Sequence, residues 1–150
     1  MNKLDIAWSP DFEIGIDIID EQHKRLFDYF TEIEQVISTG NVDTLKMVVK
    51  GLIDYAISHN SFEETLMKDA GYPMLEAHHS VHEEFKKRMH SYEARMKGGE
   101  DTIKLAREVR LDIAMWLMNH IKREDKHYAP YVKKKLNKGF VKTMLGKFFG

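Results

Sequence analysis

Four stretches of this chain repeat their core-type residues at alternating steps of three and four, which narrows the choice of fold more than any other feature. The first runs Ile19, His23, Leu26, Phe30, Ile33, Ile37, and the second Leu45, Val49, Leu52, Ala56, His59, Glu63, Leu66. The third runs Leu75, His78, His82, Phe85, Met89, Tyr92, Met96, and the fourth, with one extra step of three, Ile103, Ala106, Val109, Ile113, Trp116, His120. Such spacing lays side chains along one face of an α-helix, a line that must be buried against other helices. The stripes are separated by Thr39-Gly40-Asn41, Gly71-Tyr72-Pro73 and Lys97-Gly98-Gly99, with Asp43 and Asp101 or Thr102 as candidate N-caps for the helices that follow two of these breaks. Connections this short make neighbouring helices antiparallel. The expected fold is therefore all-α: an up-down-up-down four-helix bundle over residues 1–136. Residues 1–18, with Trp8, Pro10, Phe12 and Ile14, read as an N-terminal arm across the helix ends.

The stripes are apolar except where they carry histidine or glutamate. Burying a lone imidazole or carboxylate costs several kcal/mol unless it is hydrogen-bonded or bound to a metal. Any single buried histidine is ordinarily a satisfied core residue. Five of them with Glu63, spread over all four helices, are better explained by a shared metal site. His59/Glu63 and His78/His82 are i,i+4 pairs, each projecting from one helix face, which is how bundles assemble metal sites in their cores. The 150 residues include 8 His and no Cys, which excludes disulfides, thiolate nucleophiles, Cys-ligated zinc, iron–sulfur clusters and C-x-x-C-H haem attachment together. A metal here would rest on nitrogen and oxygen. The start of the chain has no apolar leader and no run approaches the length of a membrane span, so a cytoplasmic location is the default expectation.

On the fourth helix, extending the stripe past His120 in regular register gives Glu124, His127, Tyr131 and Lys134, which is mostly polar. A shift of one residue gives Asp125, Tyr128, Val132 and Leu136, a better core line. One extra residue in the turn after His120 produces that shift, and a π-bulge is the usual means. The sequence thus predicts distorted helix between His120 and Pro130, with Asp125 rather than Glu124 turned inward.

Taken together, these segments resemble the bacterial hemerythrin-like proteins. The resemblance rests on Gly15-Ile16-Asp17 through Asp20-Glu21-Gln22-His23-Lys24-Arg25-Leu26-Phe27, on His59-x-x-x-Glu63-Glu64, on Gly71-Tyr72-Pro73 leading to His78-x-x-x-His82-Glu83, and on Trp116-Leu117-x-x-His120-Ile121-x-x-x-Asp125. It spans residues 8–131. Each piece alone is weak, but seven ligand positions in order are specific. The resemblance implies two iron ions joined by an oxo or hydroxo bridge, with His23, His59, His78, His82 and His120 as terminal ligands and Glu63 and Asp125 bridging. By the same resemblance His78, His82 and His120 complete one iron, leaving a vacant position on the iron held by His23 and His59. It implies reversible dioxygen binding rather than turnover, for storage, delivery or sensing, with no catalytic residues and no nucleic-acid partner. Trp116, Leu117 and Ile121 match apolar pocket positions of the family. Asn60 departs from the family's common Phe directly after the second histidine, so an amide stands where it could meet a bound ligand, admit water, or simply point away.

The chief rival is a di-iron oxidase or peroxidase, because Glu76-x-x-His79 and Glu124-x-x-His127 imitate the Glu-x-x-His pairs of ferritin-like enzymes. Both pairs lie off the buried lines and read as solvated-face residues. A third reading is a nitric oxide or dioxygen sensor acting through a partner. The last segment stands apart in charge: residues 132–150 hold six of the 23 Lys and Arg and none of the 24 acids. Residues 137–150 could form a short basic amphipathic helix with Phe140, Met144, Leu145 and Phe148 on one face. Such a helix would dock on a membrane surface or a protein or, on the plainer reading, pack back on the bundle.

Overall fold

A computed structural model describes residues 6–136 and 138–149. The first five residues of the expected arm, and Asn137 and Gly150 of the expected tail, lie outside them. The described residues hold a 3₁₀ turn at Pro10–Phe12, then α1 (Asp17–Thr39), α2 (Val42–Ala70), α3 (Leu75–Lys97), α4 (Thr102–His120), a π-helical turn (Ile121–Asp125), α5 (Lys126–Lys135) and α6 (Lys138–Phe149). Helices α1 to α4 form the antiparallel bundle that the stripes predict, and α2 packs against every other helix. No helix among the described residues is long and apolar enough to cross a membrane.

The turns close as their residues dictate, with one correction. Gly40 and Gly71 end α1 and α2 in the left-handed conformation, at φ 72° and 68°, which a side chain would strain. Asp101 caps α4, accepting from the Ile103 and Lys104 N–H groups at 3.0 and 3.2 Å. At α2 the cap is Asn41, whose side chain accepts from the Thr44 N–H at 3.1 Å, rather than Asp43. The helix begins at Val42, which leaves Asp43 inside the first turn, where its charge still suits the helix terminus. The N-terminal arm is fixed by Asp20, whose two carboxylate oxygens accept the Ile14 and Gly15 N–H groups at 2.9 and 3.1 Å. Phe12, Ile14 and Ile16 are buried beneath it.

After His120 the chain takes the extra residue. The Lys126 N–H reaches back five residues to the Ile121 carbonyl, the mark of a π turn. Asp125 is completely buried, while the Glu124 side chain is 32% exposed. Tyr128 and Val132 follow Asp125 into the core. The inward line stops there: Leu136 is exposed, because α5 ends at Lys135 and the chain turns away. The distortion is also narrower than expected. It is confined to Ile121–Asp125, and α5 runs as helix through an exposed Pro130.

The tail folds back. Phe148 and Phe149 lie 6.4 and 5.9 Å from the ring of Phe62 on α2, and Phe149 is 5.2 Å from Tyr55. Phe140, Met144 and Leu145 pack on the same core, and Lys142 and Lys147 remain outside.

Candidate metal centre

The stripes bring their polar members to one end of the bundle. His23 comes from the start of α1, His59 and Glu63 from the second half of α2, His78 and His82 from the start of α3, His120 from the end of α4 and Asp125 from the π turn. All seven are at most 3% exposed. Two sets of ligand atoms lie within 4.8 Å of one another: His23, His59, Glu63 and Asp125 in one, and Glu63, His78, His82 and His120 in the other.

The two carboxylates divide their oxygens between these sets. Glu63 Oε1 is 3.0 Å from His59 Nε2 and 3.4 Å from His23 Nε2, while its Oε2 is 3.7 and 3.6 Å from the Nε2 atoms of His78 and His82. Asp125 Oδ2 is 3.3 Å from His23 Nε2, while its Oδ1 is 3.3 and 3.1 Å from the Nε2 atoms of His78 and His120. Each carboxylate thus offers one oxygen to each side.

The buried polar atoms are also left in the pattern that a metal would satisfy. Nε2 of His23, His59 and His78 and all four oxygens of Glu63 and Asp125 have no hydrogen-bond partner, and the Nε2 atoms of His82 and His120 face each other at 2.9 Å. Leaving so many buried polar atoms unpaired costs about 1–3 kcal/mol each, so a bare polar core of this size is not a stable end in itself. These are donors that accept a divalent cation of borderline or hard character. The residues present fit a metal centre.

Charge in the protein without metal follows the same geometry. Burial opposes a charge on His23, yet the Asp125 and Glu63 carboxylates facing it outweigh this and raise its pKa to about 9. His78 is likewise raised to about 9 against its burial, by the same two carboxylates. His120 rises to about 10 against its burial, chiefly through Asp125 with Glu124 assisting. Burial would raise Glu63 and Asp125, as would Glu63 acting on Asp125, but the surrounding imidazoles hold both well below the usual carboxylate range.

Sequence reasoning missed the groups behind the imidazoles. His59 Nδ1 is 2.6 Å from Gln22 Oε1, His82 Nδ1 is 2.9 Å from Glu64 Oε2, and His120 Nδ1 is 3.2 Å from Glu124 Oε2. Glu124, expected on the solvated face, is partly exposed but turned toward His120, one helical turn away. Glu76 is exposed, and His79, also exposed, bonds to Glu64 rather than entering the centre. His127 bonds to the Tyr72 hydroxyl at 2.5 Å. The imitation Glu-x-x-His pairs therefore build no second carboxylate site.

Of the expected pocket residues, Leu117 and Ile121 are fully buried, and Trp116 is half-buried with its ring stacked on His120 at 4.3 Å and tilted against Phe85 at 4.2 Å. Asn60 is buried and borders a narrow cleft of about 20 Å³ shared with Glu64 and His82, on the α3 side of α2. Tyr128, expected on the inward line but not beside the centre, is fully buried with its ring parallel to His78 at 5.5 Å. Its phenol is held neutral by burial, with Glu63 and Asp125 adding to the effect.

A helical bundle with this set of histidines and carboxylates at one end defines a hemerythrin-type protein. The sequence profile of the Hemerythrin HHE cation binding domain matches residues 14–132, and the chain belongs to the hemerythrin family. It is 37% identical to a bacteriohemerythrin of Stenotrophomonas maltophilia, over 97% of this chain and 98% of that one. A myohemerythrin of Theromyzon tessulatum is 32% identical, over 81% of this chain and 88% of that one. A crystal structure of wild-type hemerythrin matches with a TM-score of 0.74 and 30% identity, covering 84% of this chain and 96% of that chain.

Proposed function

We propose that this protein binds dioxygen reversibly at a pair of iron ions held by His23, His59, His78, His82, His120, Glu63 and Asp125, in the service of dioxygen storage, delivery or sensing. The observation that carries this reading is the division of the carboxylate oxygens. Glu63 and Asp125 each turn one oxygen to the His23/His59 group and the other to the His78/His82/His120 group, the arrangement of two bridging carboxylates. An iron pair held by these residues would supply reversible electron donation to dioxygen. Three imidazoles would hold one ion and two the other, so a ligand would find room beside His23 and His59.

The chain's own part is to bind, orient and exclude water. Leu117 and Ile121 close the α4 side with fully buried apolar surface, and Tyr128 closes the α5 side with its ring on His78. Water and protons reaching a bound ligand would end reversibility, so a dry enclosure favours release of the ligand unchanged.

The test is anaerobic reconstitution with ferrous iron. Two irons per chain and an optical spectrum that changes with dioxygen and reverts on its removal are expected. Sustained dioxygen consumption in the presence of a reducing substrate would replace this reading with the oxidase or peroxidase one.

A further inference from the structure

Three of the metal-facing imidazoles are backed by groups of unequal charge, two of them through hydrogen bonds. In the group of three, His82 Nδ1 meets the Glu64 carboxylate at 2.9 Å, and His120 Nδ1 lies 3.2 Å from Glu124 Oε2 as a charge contact without hydrogen-bond geometry. In the group of two, His59 Nδ1 meets a neutral amide, Gln22 Oε1, at 2.6 Å, and His23 Nδ1 has no hydrogen-bond partner. Gln22 is 4% exposed, so its oxygen faces His59 with little competition from water. Glu64 shares its charge with the exposed His79, which bonds to its other oxygen. Glu124, two-thirds buried, has no second histidine partner.

An imidazole that gives its outer N–H to a carboxylate gains negative charge on the ring and becomes a stronger donor at its other nitrogen. One that gives it to an amide gains less. The three-histidine side has both anionic partners, and the two-histidine side, with the vacancy, has only the amide.

We propose that Gln22, Glu64 and Glu124 are positioning residues that grade donor strength across the centre, with the neutral Gln22 keeping the His23/His59 side the weaker-donating half. The inference rests on the two-metal reading given above. A weakly donating half resists oxidation, which suits a position where a ligand must leave again.

The sign of the effect separates this from a merely structural role. Full-length wild type and the variants Gln22→Glu, Glu64→Gln and Glu124→Gln are titrated with Zn(II), a probe without redox chemistry, by chelator competition. Gln22→Glu is expected to tighten binding and the two Glu→Gln variants to weaken it, by about 10-fold or more where the partner is well buried. Autoxidation of the iron-loaded proteins should follow the same order, with Gln22→Glu faster than wild type and Glu124→Gln slower. Circular dichroism establishes that each variant is folded, and Glu124→Gln, at a partly exposed position, is the variant least able to disturb the core. If folded Gln22→Glu weakens zinc binding, or leaves both zinc affinity and autoxidation unchanged, the grading is wrong and these groups only orient rings. Failure of wild type to take up two metal ions is a different result: it overturns the two-metal reading itself.

Discussion

At the end of the bundle that carries the Gly40 and Gly98–Gly99 turns, Ile33, Leu45, Val49, Met89, Ala106 and Val109 fill the stripes, all buried and all apolar. At the other end the same four stripes present five imidazoles and a carboxylate, equally buried. Helix geometry does not distinguish the two ends. What differs is the source of cohesion: one end is held by the removal of apolar surface from water, at roughly 25 cal/mol per Å², while the other holds polar atoms that are satisfied only when something binds them. The comparison teaches that a bundle can donate part of its core to chemistry if the rest of the core is sufficient to fold it.

This contrast can be broken by measurement. The largest effect is expected from metal itself. Loading stabilises by about 4 kcal/mol when free metal exceeds its dissociation constant a thousandfold, and the gain in amide hydrogen-exchange protection should concentrate at the start of α1, the end of α2 and the π turn. Equal gains around Gly40 and Gly98 would show that the ends are not independent. Next, Leu52→Ala in the apolar half should cost about 3 kcal/mol in denaturant unfolding, by nearly the same amount with and without metal, and leave metal stoichiometry unchanged. A loss of metal ions in that variant would couple the two ends. A third contrast is the response of the protein without metal to pH. His23 and His78 rise to about 9 and His120 to about 10 on folding, so their contribution is fully present below about 6.5 and is lost as pH climbs through 9 to 10. The thermal midpoint of the metal-free protein should therefore fall between pH 6.5 and 10. That of the loaded protein should not follow the same curve, because the metal-bound rings carry no such proton.

The stripes made the fold legible, and the same periodicity exposed His23, His59, Glu63, His78, His82 and His120, because a polar residue in an otherwise apolar line stands out. Asp125 was legible only through phase: the unshifted line after His120 was too polar to be core. The outer partners were not legible for a geometric reason. Gln22 stands beside His23 in the chain yet serves His59, on another helix and 37 positions away, and Glu64 serves His82 and His79 across the α2–α3 pair. No periodicity within one helix reports a pairing between two. The tail was ambiguous for a different reason. An apolar face bearing Phe140, Met144, Leu145 and Phe148 suits a lipid surface and the flank of α2 alike, and in the structure the end of this helix packs on Phe62 and Tyr55.

The π turn takes up one residue without passing its rotation down the chain. One residue of α-helix is a rotation of about 100°. Removing one residue from 121–124, with the turn closing as ordinary α-helix, would bring Asp125, Tyr128 and Val132 onto the unshifted inward line after His120, where they already sit. Removing two would turn all three away from the centre together. The segment therefore has a slack of one residue, and beyond that the bridging position is lost in a single step.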